Sequence, residues 1–267
     1  IAPELGGILE TLTRLVEAAN VRNLGSNSIA VQIAADKYTT AQLLERHSVP
    51  TIPTWKLSEN GELDGGISET FQQSLKGRPV LIKPRFGAGS QEMSVHQTLP
   101  DTNTLTNMIA ESDWLSDAIL QPYFPSLPLT VAVWCVGNDR DYHPFPVGLQ
   151  ILSNSEHFEY LGGLFPRQHP LLSEQRRLDI RNLAVAACRA IPGLQGYVGV
   201  DLILPHEGNS RVLVCEINPR LTTSYLGYRT LSRTNLASQW FEYSPQSIEF
   251  DSRPLRFTCE GAIELLD

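Results

Sequence analysis

Apolar and polar residues alternate with two different periods along the chain. In residues 4–19 the apolar positions recur every three or four residues, which is the period of an amphipathic helix. A strand that ends near Ala2 is expected before this helix, and a short strand over 21–24 is expected after it. A second helical pattern over 36–47 stops before VPTIPT, whose two prolines predict a linker and a nearby domain boundary.

From residue 79 the apolar runs become short and rich in β-branched and aromatic residues, and Pro, Gly and Asn separate them, as in an antiparallel sheet. The expected strands are PVLIKP, EMSVHQ, AILQPYF, LTVAVWCVG, HPFPVGLQIL, HFEYLGG, GYVGVDLILP and SRVLVCEIN, with HEGN as the turn between the last two. Helices are expected over 102–112, over 173–190 with Ser173 as N-cap, and after residue 226.

The composition is that of an acidic protein with a real hydrophobic core. Its 267 residues are 42% hydrophobic, and 29 acidic against 21 basic residues give a net charge of −8. This balance argues against a nucleic-acid or anionic-membrane surface, because both need clustered positive charge. No apolar stretch approaches the ~20 residues that cross a bilayer, and no signal-peptide pattern opens the chain. We therefore expect a soluble protein.

The four cysteines lie far apart, at Cys135, Cys188, Cys215 and Cys259. They form no CxxC pair, and no His lies at zinc-ligand spacing from them. We therefore expect reduced, mostly buried thiols and a cytoplasmic location. The chain opens on IAPELGG with no initiator Met, so we expect residues upstream of it to be missing.

A lysine and a loop of small residues form the first candidate site. In LIKPRFGAGSQ a predicted strand delivers Lys83, and the small residues 87–90 follow, whose backbone amides can cradle an anion. This suits a phosphate group, although the segment lacks the GK[ST] of a Walker loop and the third Gly of a dinucleotide fingerprint. A glycine-rich hairpin with a surface lysine is the alternative.

Polar side chains interrupt two predicted adjacent strands, GVDLILP and VCEINPR. Residues two apart on a strand share a face, so Asp201, Glu216 and Asn218 could present their oxygens to one point. Such hard oxygen ligands suit Mg²⁺, which completes its octahedron with phosphate oxygens and water. The alternative is an ion pair of Asp201 or Glu216 with an arginine at a sheet edge, which leaves Asn218 unexplained.

Two further segments fit a nucleotide. Lys37 lies in the first turn of a helix that Asp36 is predicted to cap, the unfavourable end of the helix dipole for a cation, which indicates that a ligand needs its charge. An ordinary solvated lysine is the alternative. ILQPYF ends a strand in an aromatic-rich turn, where backbone groups can bind an adenine edge between apolar neighbours. Core packing explains ILQPYF equally well.

The order of these motifs resembles that of the ATP-grasp superfamily of carboxylate–amine ligases. The motifs are DKxxT at Lys37, IKP at Lys83 before GAGS, the ILQPYF strand, GVDLIL and EINPR, and they span nearly the whole chain. The resemblance implies the α+β ATP-grasp fold, in which two α+β subdomains grip a nucleotide, preceded by a partial α/β (pre-ATP-grasp) unit. On this basis residues 1–35 are the remnant of the N-terminal α/β domain, 36–122 are the small subdomain with its linker, and 123–267 are the large C-terminal subdomain.

The same resemblance implies a role for each candidate residue. The triphosphate of ATP would lie on Lys37, Lys83, Gly87, Ala88, Gly89 and Ser90, the adenine on Gln121, Pro122, Tyr123 and Phe124, and Mg²⁺ or Mn²⁺ on Asp201, Glu216 and Asn218. Lys83 and Arg220 are implied as catalytic. The substrate side would be lined by Arg220, Thr222, Thr223, Ser224 and Tyr225, unless the Thr and Ser hydroxyls only cap the next helix. No acid follows ILQPYF before Asp139, so no ribose-binding residue is assigned.

Within the superfamily, IAPE, YLGG, GYVGVDLIL and INPRLTTSYLGYR are most similar to the tyramine–glutamate ligases of methanofuran-type cofactor biosynthesis. This implies that ATP phosphorylates the side-chain carboxylate of glutamate and that the amine of tyramine displaces the phosphate, giving γ-glutamyltyramine. Two alternatives stay open: a ligase for another amino-acid pair, like D-alanine or pyrrolysine-pathway enzymes, or a nucleotide-binding module without catalysis. The expected partners are small-molecule carboxylates and amines, with no nucleic acid and no membrane, and a homodimer is also open.

Overall fold

The chain folds around two antiparallel β-sheets with helices packed on them. A computed structural model of the protein describes residues 5–64, 69–75, 77–87, 92–136, 141–153, 158–207, 211–241 and 248–266. One sheet has four strands and the other has eight, and the mixture of helix and sheet agrees with the predicted α+β class. The strand expected near Ala2, the loop at 88–90 and part of the HEGN turn lie outside the described residues.

The first helix, α1 (Ile8–Ala18), confirms the helical pattern near the start of the chain. The strand predicted over 21–24 is wrong. Instead, the Asn23 side chain accepts a hydrogen bond from the Gly25 amide and donates one to the Ser26 carbonyl, both at 2.9 Å. Side-chain bonds of this kind compete with the backbone pairing that a strand needs.

Two helices follow in direct succession. Helix α2 (Ser28–Ala35) is capped by the Asn27 side chain, and α3 (Lys37–Arg46) is capped by the Asp36 carboxylate. Helix α3 confirms the helical pattern over 36–47. The sequence does not predict α2, because a short run of Ile, Val and Ala fits a buried strand equally well. Both helices pack against the core of the larger sheet.

The next part of the chain builds the four-stranded sheet. Its elements are β1 (Trp55–Lys56), α4 (Glu69–Leu75), β2 (Val80–Pro84), β3 (Ser94–His96), α5 (Thr102–Glu111) and β4 (Ala118–Pro122). The strand order is β1-β4-β2-β3, and every pair is antiparallel. Phe71, Ile82 and Leu120 belong to its buried core. Strands β2, β3 and β4 and helix α5 confirm the prediction, whereas the sequence does not predict α4.

The rest of the chain builds the eight-stranded sheet and its helices. Its elements are β5 (Ser126–Val136), β6 (Asp141–Pro144), β7 (Gly148–Leu152), β8 (Tyr160–Phe165), α6 (Glu174–Ala190), β9 (Gly196–Pro205), β10 (Leu213–Asn218), α7 (Tyr225–Leu231), β11 (Leu255–Thr258) and β12 (Ile263–Leu265). The path through the sheet is β10-β9-β5-β7-β8-β11-β12, with β6 paired to β5. The sequence predicts β9, β10, α6 and α7 but not β11 and β12.

The two faces of the larger sheet are covered by different helices. On β5, Val131 belongs to the core that contains α6, whereas its neighbour Ala132 belongs to the core that contains α7. This is the alternation of a strand that is buried on both faces. As predicted, Ser173 caps α6, where its side chain accepts a hydrogen bond from the Arg176 amide.

The run HPFPVGLQIL forms two strands and not one. Strand β6 ends at Pro144, and β7 begins at Gly148. Pro144 and Pro146 lack the N–H that a continuous ladder requires, which explains the interruption.

The linker VPTIPT runs beside the outer edge of β10. The Val214 amide donates to the Pro50 carbonyl at 2.9 Å, and the Ile52 amide donates to the Val214 carbonyl at 3.3 Å. Thr51 forms a parallel bridge with Val214, and its hydroxyl donates to the same carbonyl at 2.9 Å. The linker between α3 and β1 is therefore bound to the strand that carries Glu216.

The cysteines agree in part with the expectation of reduced, mostly buried thiols. All four cysteines are free thiols; Cys135 and Cys188 are buried, Cys215 is half-buried and Cys259 is exposed. Across the described ranges, no helix is both long enough and apolar enough to span a bilayer.

Candidate active site

A cleft of about 720 Å³ lies between the two sheets. Strands β2 and β4 line it from the four-stranded sheet, and β5, β7, β9 and β10 line it from the eight-stranded sheet. The cleft brings together most of the candidate residues: Lys37, Lys83, Gly87, Gln121, Pro122, Tyr123, Phe124, Asp201, Glu216, Asn218, Arg220, Thr222, Thr223 and Ser224. Tyr225 is not among the described residues that line it, and Ala88, Gly89 and Ser90 lie outside the described part of the chain.

A β-bulge turns Glu216 toward the cleft. The pairing of β10 with β9 shifts register between Val214 and Glu216, so Cys215 is the extra residue. The register before the shift would set Glu216 opposite Val200, on the face that packs against α6. After the shift, Glu216 pairs with Asp201. Because one extra residue exchanges the two faces of a strand, the bulge brings two carboxylates opposite each other in the cleft.

Asp201 is held by side-chain amides. Gln150 Nε2 donates to Asp201 Oδ1 at 2.7 Å, and Asn218 Nδ2 donates to Asp201 Oδ2 at 3.0 Å. Burial raises the pKa of Asp201 to about 7, and the Glu216 carboxylate adds to the rise, while hydrogen bonding opposes it. A raised carboxyl pKa means that the negative charge is incompletely compensated, which is a condition that favours cation binding.

Asn218 adds an amide oxygen to the carboxylate oxygens of Asp201 and Glu216 as a possible metal ligand. It lies opposite Gly199 in the register, and Arg220 Nη2 donates to its Oδ1 at 3.4 Å. Within the described ranges, no group of three or more His, Cys, Asp or Glu side chains could hold a metal ion. A cation here would therefore draw on the Asp201 and Glu216 carboxylates and one amide oxygen, which are hard ligands that suit Mg²⁺ or Mn²⁺.

Two buried lysines lie near these acids. Lys37 Nζ is 3.6 Å from Glu216 Oε1 and donates to the Gly87 carbonyl at 2.6 Å. Lys83, on β2, is 9% exposed. Burial lowers the pKa of Lys83 and the charge of Lys37 lowers it further, while Cys215 and Glu216 oppose the shift. A lowered ammonium pKa indicates that an anion would stabilise this part of the cleft.

Another part of the cleft is mostly apolar. Leu81, Tyr123 and Phe124 line it, and the buried Gln121 is its polar exception. Gln121 Nε2 donates to Thr54 Oγ1 at 2.8 Å, but Gln121 Oε1 is buried with no hydrogen-bond partner among the described residues. A flat ring that carries an N–H donor would supply the missing partner.

The hydroxyls after β10 bond to one another. Tyr197 Oη lies 3.0 Å from Thr222 Oγ1 and 3.1 Å from Ser224 Oγ, and the last two atoms are 2.7 Å apart. Ser224 precedes α7 without a side-chain cap bond, so its hydroxyl does not act as the helix cap considered from the sequence. The Tyr225 ring packs against Tyr197 and Trp240, with centroids 5.7 and 6.1 Å away. The structure does not bring Tyr225 to the cleft.

The cleft also contains residues to which the sequence assigns no role, among them Thr130, Gln150 and Tyr160. Thr130 pairs with Asp201 in the sheet register. Burial and the charge of Asp201 raise the pKa of the Tyr160 hydroxyl, so it remains a donor at neutral pH. Gln150 has a signal in the sequence, because it is the one polar side chain in the run GLQIL.

Models of known protein families match nearly the whole chain. A family model described as an ATP-grasp domain matches residues 34–224, and one described as a pre ATP-grasp 3 domain matches residues 1–31. Two tyramine–L-glutamate ligases, from Methanocaldococcus fervens and Methanocaldococcus jannaschii, are 30% and 28% identical to the chain over 230 residues. That stretch is 86% of this chain but 60% and 57% of theirs, so the chain spans about three fifths of the length of these relatives.

A solved structure shows the same fold. The crystal structure of an ATP-grasp superfamily protein from Archaeoglobus fulgidus has a TM-score of 0.66 and 25% identity, covering 97% of this chain and 67% of that one. Together with the two family models, this confirms the fold and the preceding segment that the sequence predicts.

Proposed function

Because this chain belongs to the ATP-grasp family, whose domain model matches residues 34–224, we propose that it is an ATP-dependent ligase that joins a carboxylate to an amine. The two tyramine–L-glutamate ligases support L-glutamate and tyramine as its substrates and γ-glutamyltyramine as its product. The reaction forms a C–N bond and releases ADP and phosphate.

The pairing of Asp201 with Glu216 across β9 and β10, next to Asn218 and two buried lysines, carries this proposal. A nucleoside triphosphate with a divalent cation has the charges that such a cluster lacks. The acids and Asn218 would hold the cation, while Lys37 and Lys83 would bind phosphate oxygens. The apolar part of the cleft would receive the adenine.

The oxygen atoms of Asp201, Glu216 and Asn218 are ligands that fit Mg²⁺ or Mn²⁺. When bound, the ion supplies positive charge that offsets the phosphate oxygens during phosphoryl transfer. The pKa of Asp201, raised to about 7, supports this fit, because a cation at that position would favour the ionised carboxylate. The roles of Asp201, Glu216 and Asn218 as ligands are part of the proposal.

Phosphorylation would make an unreactive carboxylate reactive. In the first step, a carboxylate oxygen of the substrate bonds to the γ-phosphorus of ATP, and the bond from that phosphorus to ADP breaks. Both reactants are anions, so Lys37, Lys83 and Arg220 would offset the charge that accumulates. In the second step, the amine attacks the acyl carbon, phosphate leaves with its bridging oxygen, and the amine proton passes to phosphate or a carboxylate.

Arg220 and the loop after it are assigned to the substrate side. Arg220 Nη1 donates to the Leu221 carbonyl at 3.1 Å, and its Nη2 contacts Asn218, which holds the guanidinium beside a proposed metal ligand. Thr223 lines the cleft and could hydrogen-bond an amino-acid substrate. Thr222 and Ser224 also line it, but their hydroxyls already bond to Tyr197, so we assign them to the shape of the site as well as to substrate contacts.

The substrate assignment is tested by supplying the purified protein with Mg²⁺, ATP and pairs of acceptors. We expect phosphate release with L-glutamate plus tyramine, with γ-glutamyltyramine identified by mass spectrometry, and none with alanine pairs. Release with alanine pairs alone would instead indicate a D-alanine-like ligase. No ADP or phosphate release with any pair would favour a nucleotide-binding module without catalysis.

The residue assignment is tested by Glu216→Ala and Lys83→Ala. We expect each to lower turnover by roughly a hundredfold or more, because each removes charge from the site of phosphoryl transfer. Circular dichroism should show an intact fold. The matched control is Glu249→Ala, since Glu249 is 66% exposed and pairs only at 4.0 Å with Arg233. Near-normal ligation by Glu216→Ala or Lys83→Ala would contradict the assigned roles.

A further inference from the structure

Arg85 follows Lys83 by two positions and binds two carboxylates. Its Nε and Nη2 contact the Asp36 oxygens Oδ1 and Oδ2 at 2.8 and 2.5 Å, and its Nη1 contacts Asp117 Oδ1 at 3.3 Å. The pair with Asp36 is bidentate, which fixes orientation as well as distance. We call this three-residue contact the clamp.

The backbone strengthens the clamp. The Lys37 amide donates to the Arg85 carbonyl at 3.2 Å, and the Arg85 amide donates to the Asp117 carbonyl at 3.1 Å. Lys37 Nζ in turn donates to the Gly87 carbonyl, two positions after Arg85. The end of β2 and the start of α3 are thus joined through the main chain and through side chains.

The clamp connects the two halves of the cleft. Arg85 directly follows β2 of the four-stranded sheet, whereas Asp36 caps α3, whose Leu44 packs in the core of the eight-stranded sheet. Each member of the pair lies close in sequence to a lysine: Lys37 directly follows Asp36, and Lys83 precedes Arg85 by two positions. The distance between the two lysine-bearing segments therefore depends on this pair.

The charges of the clamp are mutually compensated. The Arg85 and Asp36 side chains are 18% and 10% exposed. Burial alone would raise the pKa of Asp36, but hydrogen bonds from Arg85 and Thr39 lower it overall, and Asp36 in turn raises the pKa of Arg85. Both groups are charged at neutral pH. Arg85 therefore neutralises the Asp36 carboxylate. The adjacent Lys37 ammonium contacts the Gly87 carbonyl and Glu216 Oε1.

We propose that Arg85 is a positioning residue for phosphate binding, which holds Lys37 and Lys83 in one arrangement through Asp36 and Asp117. This rests on the proposed function, because the two lysines are assigned there to the triphosphate. Arg85 acts through the two lysines. Its loss should therefore weaken the binding of phosphates and leave the binding of the nucleoside unchanged.

The test is isothermal titration of wild type and Arg85→Met with ATP and with adenosine, both in the presence of Mg²⁺. Because small misplacements of binding groups are expensive, we expect the Kd for ATP to rise about tenfold or more and the Kd for adenosine to change less than about twofold. A merely structural role would weaken the binding of both ligands by a similar factor. Arg253→Met is the matched control, since Arg253 forms an exposed pair with Asp251 at 2.8 Å.

Asp36→Asn supplies a second, independent variant. Asn is also a good N-cap residue, so α3 keeps its cap while the clamp loses its charge. We expect Asp36→Asn to raise the Kd for ATP as Arg85→Met does. The double variant should raise this Kd no further than either single variant, because all three variants break the same Arg85–Asp36 contact. Additive losses in the double variant would overturn the clamp.

The outcomes separate this proposal from the proposed function. If wild type binds neither ATP nor adenosine, the proposed function fails and the clamp proposal fails with it. If wild type prefers ATP over adenosine and Arg85→Met keeps the same preference, only the clamp proposal fails. A loss of ATP affinity in Arg85→Met, with adenosine binding near wild type at a temperature where the variant is folded, supports it.

Discussion

Gln121 lines the cleft with one buried polar atom that has no hydrogen-bond partner among the described residues. Its side-chain Nε2 donates to Thr54 Oγ1, and its acceptor Oε1 is buried without a partner in the described structure. A buried carbonyl with no donor costs about 1–3 kcal/mol, so a bound ligand that donates there gains that amount. The exocyclic amino group of adenine is such a donor, whereas the corresponding oxygen of guanine is an acceptor.

We therefore predict that Gln121 selects ATP over GTP. Gln121→Leu removes the acceptor, and the preference for ATP should fall about tenfold or more, since a hydrogen-bonding site discriminates most strongly against a ligand that leaves it unpaired. Competitive titration with the two nucleotides measures this ratio. Gln239→Leu is the control, because Gln239 Oε1 is also buried without a partner in the described residues but does not line the cleft. An unchanged ratio in Gln121→Leu would refute the assignment.

Single residues differ in how far the sequence identifies them. Lys37 and Lys83 stand at the start of a helix and in a strand before small residues, so their local setting already indicates a ligand. Gln150 and Arg85 hydrogen-bond to partners that lie 51 and 49 residues away in the chain. No local pattern reports such a contact, and only the fold brings the partners together.

At the scale of elements, the sequence predicts strands more reliably than their register. The runs that form β9 and β10 are visible from their composition. The sequence also predicts that Glu216 and Asn218, two residues apart, share a face. The bulge at Cys215 could not be predicted, because LVCEIN has the composition of an uninterrupted strand and contains no Gly or Pro that would mark an irregular position. It is this one extra residue that turns Glu216 from the α6 face to the cleft and sets it opposite Asp201.

Strand β9 and the loop after β10 approach each other closely at Gly199. A Cβ atom there would lie 2.5 Å from Thr222 Cγ2 and 3.5 Å from Asn218 Cβ. We predict that Gly199→Ala lowers the free energy of unfolding by about 1–3 kcal/mol, because overpacking displaces the loop. Urea denaturation measures the change. Gly25→Ala is the control, since its Cβ would meet only Asn23 Oδ1 at 3.7 Å; equal losses in both variants would exclude the close contact as the cause.

At the scale of the whole molecule, the cleft makes stability depend on pH. The pKa of Asp201 is about 7 in the folded protein, against about 3.9 for an unfolded Asp. Between these values the folded state binds the proton more tightly, so stability is highest below the unfolded pKa and is lost as the pH rises toward 7. The ionised Asp201 carboxylate is thus a destabilising group at neutral pH when no cation is bound to it.

We predict that Asp201→Asn removes this dependence. Without nucleotide and metal, wild type should lose on the order of a few kcal/mol more stability than Asp201→Asn between about pH 4 and pH 7, from the size of the pKa difference. Thermal or urea unfolding across this range gives both slopes, and groups that do not interact with Asp201 cancel in the comparison. Parallel curves for the two proteins would show that Asp201 titrates normally.

The linker between α3 and β1 also affects which strand edges are open to another molecule. Strand β10 ends the eight-stranded sheet, and an open strand edge is a template onto which a second polypeptide can add. Residues 50–52 occupy part of that edge through their bonds to Val214. Residues 50–52 thereby discourage the addition of a second polypeptide at the strand that carries Glu216.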